Sequence, residues 1–216
     1  MNINKQHNQK MSNCYLIITC SIENHYGNND VSLRTNLYKK AISNTLAVLP
    51  EYITPIIVEN NGNRPTFLDD FPCKVVYTDN NKNKHPHKGF NEMEDILQVI
   101  DECNIQDEDM IIKLTGRYFA TSDHLFKHVK NTMHKTDAFI KFFNVATRVF
   151  EKFDCILGFF AMRCKFLKKF VYSGKKSAEI EFATFVHETM DESKIDAIRK
   201  LYAECCYANS NEVLHV

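Results

Sequence analysis

Short apolar runs alternate along this chain with longer stretches in which apolar residues recur every three or four positions. Cys14–Ile22 (CYLIITCSI) is almost continuously apolar and closes on small polar residues, the pattern of a central parallel strand. Pro55–Glu59 (PIIVE), Lys74–Thr78 (KVVYT) and Met110–Leu114 (MIIKL) predict three more strands, rich in β-branched residues and bounded by polar or turn-forming ones. Between the first two, Leu33, Leu37, Ala41, Ile42, Thr45, Leu46 and Leu49 form a helical stripe, with Ser32 as its N-cap and Pro50 as its stop. Met93, Ile96, Leu97 and Ile100 form a second stripe, from about Asn91 to Cys103. The order strand, helix, strand, strand, helix, strand predicts an α/β fold, a mostly parallel central sheet flanked by helices.

Beyond Tyr118 the pattern is more aromatic. Ser122–Met133 predicts a helix capped by Ser122. Ala138–Val149 and Cys155–Arg163 contain strand-like runs, and Phe166–Tyr172 a short helix. Ser177–Met190 and Ile195–Leu201 predict two more helices, and Tyr202–Tyr207 a late strand. There is no internal repeat and no linker-like segment, so residues 13–216 are expected to form one domain behind a mobile tail at 1–12 that is rich in Asn, Gln and Lys.

Composition narrows the function classes. Of 216 residues 44% are hydrophobic and 16 are Phe, ample for a packed core. Lys+Arg and Asp+Glu both number 27, so there is no basic excess of the kind that general nucleic-acid or membrane-surface binding requires. No apolar run is long enough for a transmembrane segment. The eight Cys show no CxxC pair, no zinc-type spacing and no signal peptide ahead of them. Reduced, mostly buried thiols in a cytoplasmic protein are the expectation.

Candidate chemistry collects where the predicted strands end: Thr19 on the first, Glu59 with Asn60 on the second, Asp79 on the third, and Lys113 with Arg117 around the fourth. If the strands are parallel these ends share one edge, which is where open α/β sheets bind ligands. A loop (Asp79–His87) feeds through Lys88 and Gly89 into the helix near Asn91, whose free N–H groups and positive dipole end suit a phosphate. Lys88, Lys113 and Arg117 carry charge for a diphosphate, Arg117 with a bidentate fork. Asp79 is a candidate holder of a divalent cation. Taken singly, a strand-end Asp is more often a turn residue or cap, by about two to one. The coincidence at four successive strand ends is what favours a site.

These residues resemble a family. Arg34-x-x-x-Tyr38, Ile57-Val58-Glu59-Asn60, Lys88-Gly89-x-Asn91-Glu92 and Ile112-Lys113-Leu114-Thr115-Gly116-Arg117-Tyr118 are similar to stretches of small single-domain GT-A-like glycosyltransferases. Such enzymes occur in bacterial glycan clusters and in large DNA viruses, where the rhamnosyltransferase domain of algal viruses is one example. The resemblance spans residues 14 to 190, and the KLTGRY stretch is its most specific piece. It implies a Rossmann-like nucleotide-sugar half (13–120) and an acceptor half (121–216). It also implies transfer of a hexose-like sugar from a nucleoside diphosphate sugar, a UDP-sugar first among donors, to a glycan or other hydroxyl acceptor. The donor contacts it implies are Thr19, Arg34, Glu59, Asn60, Asp79, Lys88, Asn91, Lys113 and Arg117. A viral chain would work in the host cytoplasm.

One departure stands out. GT-A enzymes usually carry a DxD-type motif for Mn2+ or Mg2+, and the nearest equivalent here is Asp79-Asn80-Asn81, with one carboxylate and Asn81 as a neutral second ligand. Basic residues would then do part of the cation's work. A base for the acceptor hydroxyl is sought in Ala178-Glu179-Ile180-Glu181: Glu181 is the first candidate, Glu179 the second and Asp154 the reserve. His215 is a further possible cation ligand by analogy with other GT-A families, although a lone His is more commonly a surface residue. His85-Pro86-His87, and His124 with His128 one helical turn apart, are expected to be solvated.

Two other classes compete. A nucleotidyltransferase would use a similar sheet but normally has a Gly-rich, basic loop after the first strand, whereas Ser21–Asp30 has one Gly and no Lys or Arg. A non-catalytic module binding a nucleotide or glycan is the other, and the single carboxylate of Asp79-Asn80-Asn81 keeps it in play.

Overall fold

The structure, a computed structural model, describes residues 12–23, 30–83, 85 and 88–206 and 213–216, and only the backbone of Lys88. Most of the expected tail, the turn at Gly27–Asn29, His87 and the Lys88 side chain therefore lie outside the described residues. In chain order the elements are β1 (Cys14–Cys20), α1 (Val31–Val48), β2 (Thr54–Glu59), β3 (Lys74–Tyr77), α2 (Lys88–Glu102), β4 (Met110–Thr115) and β5 (Phe119–Ala120). They continue as α3 (His124–Thr132), β6 (Ala138–Ile140), β7 (Phe159–Arg163), α4 (Cys164–Leu167), α5 (Ala178–Thr189), β8 (Ile195–Ala197), β9 (Ala203–Cys206) and β10 (Val213–His215).

Seven of these strands form a sheet in the order β3-β2-β1-β4-β7-β6-β8. Pairing is parallel from β3 through β4 and again between β6 and β8, and β7 alone runs against its neighbours. The expected α/β class and mostly parallel sheet are thus borne out. A small antiparallel sheet, β10-β9-β5, continues from the end of β4.

The pleat divides the core into two layers. Leu16 and Ile18 of β1 face Tyr38 and Ile42 of α1, Leu125, Phe126 and Val129 of α3, and Ala203 and Cys205 of β9. Ile17, one residue out of phase, faces Ile96, Val99 and Ile100 of α2 and Phe182 and Val186 of α5. Strands buried on both faces explain the unbroken apolar runs of β1 and β4. Ile96, Val99 and Ile100 are each no more than 1% exposed, and each contributes about 2 kcal/mol of transfer free energy. That burial fixes α2 against the strands whose ends it must serve.

Several boundaries moved for local reasons. The α1 cap is Asp30, whose carboxylate accepts from Leu33 N at 3.0 Å, two residues before the expected Ser32. Pro50 lies just past the C-cap Leu49, as expected of a stop. Ser122 accepts from His124 N at 3.2 Å, two residues before α3 begins. The helix expected over Phe166–Tyr172 is the single turn Cys164–Leu167, and Ser177 caps α5 as read.

The helix expected over Ile195–Leu201 is a correction: the chain there forms strand β8. Its apolar spacing fits either period, and sheet pairing decides. Asp137 N donates to Lys194 O and Ile198 N to Ile140 O, both at 2.8 Å, so the segment covers what would otherwise be a bare edge of β6. Cys205 and Cys206 lie in a strand as read, and all eight thiols are unpaired, six of them buried. Burial pushes the Cys14 and Cys205 thiols up to about 12, which makes them inert. Among the described residues, no helix is long and apolar enough to cross a membrane.

Candidate functional site

Because β1 to β4 run in parallel, Thr19, Glu59, Thr78 and Thr115 all lie at one edge of the sheet. Two clusters of side chains bind these ends to the first turns of α2. In the first, Glu92 Oε1 accepts from Thr19 Oγ1 at 2.7 Å and from Thr115 Oγ1 at 3.4 Å, and lies 2.8 Å from Lys113 Nζ. The ammonium also donates to Thr115 Oγ1 at 2.7 Å and to Leu157 O at 3.2 Å. One carboxylate thus joins β1, β4 and α2. A pocket opens beside it, lined by Gly89, Glu92, Met93, Lys113, Leu157 and Tyr172, among others.

In the second cluster, Asp95 is 1% exposed and accepts from Thr78 Oγ1 (2.6 Å), Asn80 Nδ2 (2.9 Å) and Asn60 Nδ2 (2.9 Å). Burial pushes its carboxyl up to about 6, against the opposing pull of these three donors. The amide oxygens of Asn60 and Asn91 are buried here without a hydrogen-bond partner among the described residues.

Glu59 is wholly buried, with both oxygens engaged from within the chain. It accepts from Ile22 N (3.1 Å), Asn61 N (3.0 Å) and Arg64 Nη1 (3.1 Å), so it ties the end of β1 to that of β2. Burial raises its pKa, and these donors oppose the rise. The ribose-acceptor role expected of Glu59 thus meets a carboxylate whose donors are already supplied.

Arg34, on α1, bends back to the end of β1. Its Nε donates to Ile22 O at 3.3 Å and its Nη2 to Ser21 O and, at 2.9 Å, to Tyr38 Oη. Arg117 follows β4, and its Nη1 donates to Cys206 O at 3.1 Å. Gly116, just before it, makes room for this arrangement: a Cβ there would lie 2.6 Å from Cys20 Sγ and 2.9 Å from the Tyr38 ring. The Arg34-x-x-x-Tyr38 spacing carried the signal, since residues four apart share a helix face.

The cation reading fares differently. Asp79 Oδ2 lies 2.7 Å from Lys82 Nζ, and Asn81 Nδ2 donates to Glu23 O at 2.8 Å. Asp79 follows β3, at the edge of the sheet, with β2 and β1 between it and β4. Among the described residues no three His, Cys, Asp or Glu side chains come together to hold an ion. One lysine-paired carboxylate and one amide oxygen are a poor fit to Mn2+ or Mg2+, which take several oxygen ligands. His215, on β10, is 3.8 Å from Glu204. His128 pairs with Asp196 at 2.8 Å and His85 with Glu94 at 3.0 Å.

On the acceptor side the first-choice base is occupied. Glu181 accepts from Ser173 N (2.7 Å), Ser173 Oγ (3.0 Å) and Lys176 N (2.8 Å), holding the turn before α5. Burial pushes its pKa up slightly, but these hydrogen bonds outweigh it and hold the carboxyl below its usual range. Glu179 is half-buried, and no hydrogen bond or ion pair engages its carboxylate among the described residues. Its charge adds to burial in raising the pKa of Asp154, which is itself bonded to Cys155 N (2.8 Å) and Asn144 Nδ2 (3.0 Å). Burial also raises the Tyr118 phenol, and the charges of Glu92 and Glu179 add to that rise. Ala178, the residue before Glu179, lines the pocket beside Glu92 and Lys113.

Glu92 and Asp95, central to this edge, were missed as site residues. Both sit inside an ordinary amphipathic helix; Glu92 closed the Lys88-Gly89-x-Asn91-Glu92 stretch without being given a role, and for Asp95 only the i, i+3 spacing to Glu92 hinted at a shared face.

No family model matches the chain, and no curated protein matches it by sequence. Solved structures do match. A Desulfovibrio desulfuricans G20 protein described as a nucleotide-diphospho-sugar transferase aligns with a TM-score of 0.54 at 11% identity, over 87% of this chain and 80% of that one. S. aureus TarS (residues 1–349) aligns with a TM-score of 0.54 at 14% identity over 88% of this chain, which spans 59% of that structure. CMP:2-keto-3-deoxy-manno-octonic acid synthetase, complexed with CTP, gives a TM-score of 0.53 at 12% identity, over 87% of this chain and 89% of that one. At such identities the likeness is one of fold, and the chain has the Rossmann-like, GT-A-like fold seen in nucleotide-diphospho-sugar transferases.

Proposed function

We propose that this chain is a glycosyltransferase, moving a sugar from a nucleoside diphosphate sugar, a UDP-sugar first among donors, to a hydroxyl of a glycan acceptor. The observation that carries the reading is Glu179: a half-buried carboxylate with no hydrogen-bond partner among the described residues, next in the chain to Ala178, which lines the pocket beside Lys113 and Glu92. A general base needs a carboxylate open to the acceptor, and Glu179 carries no hydrogen bond among the described residues where Glu181 accepts three. In the step itself the acceptor oxygen bonds to the anomeric carbon, the bond from that carbon to the diphosphate oxygen breaks, and the acceptor proton passes to Glu179. Such a direct displacement inverts the anomeric carbon. The diphosphate leaves with its charge held by basic side chains.

The CTP-bound synthetase among the structural neighbours favours a second reading, nucleotidyl transfer. Against it, the loop after β1 (Ser21–Asp30) has one Gly and no Lys or Arg. A thermal-shift screen separates the two, using UDP-, GDP-, dTDP- and CMP-sugars beside free CTP. A ligand bound only by the native state raises the melting temperature. A shift with one nucleotide sugar, together with sugar transfer that Glu179→Gln abolishes, supports the glycosyltransferase; a shift with CTP alone supports the second reading.

A further inference from the structure

Arg34 and Arg117 stand apart from the other arginines of the chain. Arg64 pairs with Glu59 at 3.1 Å, Arg163 pairs with Asp137 at 3.2 Å, and Arg148 and Arg199 are exposed to water. Arg34 is 5% exposed and Arg117 half-buried, and neither has a carboxylate partner among the described residues. Their named partners are three carbonyl oxygens and the Tyr38 hydroxyl. Carbonyl dipoles orient a guanidinium but do not neutralise it. Withdrawing a guanidinium from water without a counter-charge is unfavourable, and an anion placed beside it offsets that.

The two charges also act on each other. Burial lowers the Arg34 pKa, Tyr38 opposes that, and the positive charge of Arg117 lowers it further. They hang over neighbouring parallel strands, since Thr19 of β1 is in register with Thr115 of β4 and Gly116 N donates to Thr19 O at 2.8 Å. Gly116 keeps the triad close, because any side chain there would strike the Tyr38 ring that Arg34 holds. Two like charges at one edge of the sheet, with no carboxylate paired to either among the described residues, form a receptor for a doubly charged anion.

We propose that Arg34 and Arg117 form the diphosphate site of this protein and hold that anion without a divalent cation. The residues expected to bind the cation are a poor fit to one, and they lie beyond β2 and β1 from Arg117. The proposal rests on the nucleotide-sugar reading for the identity of the anion, but its chemistry needs only the diphosphate.

The test is calorimetric titration of the full chain with inorganic pyrophosphate, in EDTA and again in excess Mn2+. Pyrophosphate is expected to bind in EDTA, with affinity unchanged by Mn2+ once metal–pyrophosphate association is subtracted. Arg117→Met is expected to weaken binding at least tenfold, Arg117→Lys less, and Asp79→Ala to leave it unchanged. Melting curves show which variants are folded, and Arg117→Gln replaces Arg117→Met if the latter is not. Binding only with Mn2+, loss of binding in Asp79→Ala, unaltered binding in the folded Arg117 variants, or no binding in either buffer would each overturn the proposal. Pyrophosphate binding with no response to any nucleotide sugar would leave this site standing and sink the glycosyltransferase reading instead.

Discussion

Lys113 Nζ lies 2.8 Å from Glu92 Oε1, with the lysine side chain 2% exposed and the glutamate 31%. The pair is lopsided. Glu92 can turn partly to water and keeps Thr19 as a donor at 2.7 Å, whereas Lys113 has no carboxylate but Glu92 within ion-pair range among the described residues.

Removing the two partners should therefore cost different amounts. Glu92→Ala strands a buried ammonium and is expected to destabilise by about 3 kcal/mol or more. Lys113→Met keeps the apolar stem, leaves a partly hydrated carboxylate and should cost less than half as much. Urea unfolding of both variants checks the order, and equal losses would count against this account.

Asp95 gives stability an unusual pH dependence. Its folded pKa of about 6 lies above the 3.8 of an ordinary Asp, so the folded state holds the proton more tightly than the unfolded chain. Its contribution to stability is therefore fullest below pH 4 and falls as pH rises towards 6. Relative to Asp95→Asn, the wild type should be more stable at pH 4 than at pH 7, by roughly 2 to 3 kcal/mol. Paired urea titrations at the two pH values measure this, and a constant difference would refute it.

Gly158 and Tyr118 should be coupled. A Cβ on Gly158 would fall 1.9 Å from the Tyr118 ring, so the ring must move or the strand must shift. Gly158→Ala is expected to cost about 1 to 3 kcal/mol. In a Tyr118→Ala background the same change should cost little, giving a coupling energy of at least about 1 kcal/mol in a double-mutant cycle. Additive losses would show that the crowding lies elsewhere.

The two glutamates of α5 should separate chemistry from scaffolding. Glu179→Gln is expected to lower sugar transfer at least about a hundredfold while leaving donor affinity and melting temperature alone. Glu181→Gln should lower the melting temperature and increase proteolysis near Ser173–Lys176, with a smaller effect on transfer. The reverse pattern would return the base to Glu181.

Much of the scaffold was legible in the sequence, for reasons visible in the elements themselves. β1, β4 and most of β2 are buried on both faces and so appear as unbroken apolar runs, while α2 shows one clean stripe. β8 was not legible, because Ile195, Ile198 and Leu201 suit a helix as well as a strand and only the unpaired edge of β6 decides. At the site, strand ends located Thr19, Lys113 and Arg117, but not which side chains their neighbours would engage. Glu59 looked like a ligand contact and instead bonds to Ile22, Asn61 and Arg64. Glu181 and Glu179 are two residues apart on one helix turn, and an eight-residue reach back to Ser173 tells them apart. Such distinctions depend on loops whose course no local pattern encodes.

The reversal of β7 has a consequence for how such a chain can diversify. Since β6 ends and β7 begins at the ligand edge, residues 141–158 form an excursion that leaves the sheet and returns to it on the same side. Its tip exposes Val149 and Phe150 and carries little of the core. Lengthening such an excursion is cheap, about 0.6 kcal/mol for each doubling. Descendants of this chain can therefore exchange that tip, and with it the molecules they meet, while inheriting the β1–β4 platform unaltered.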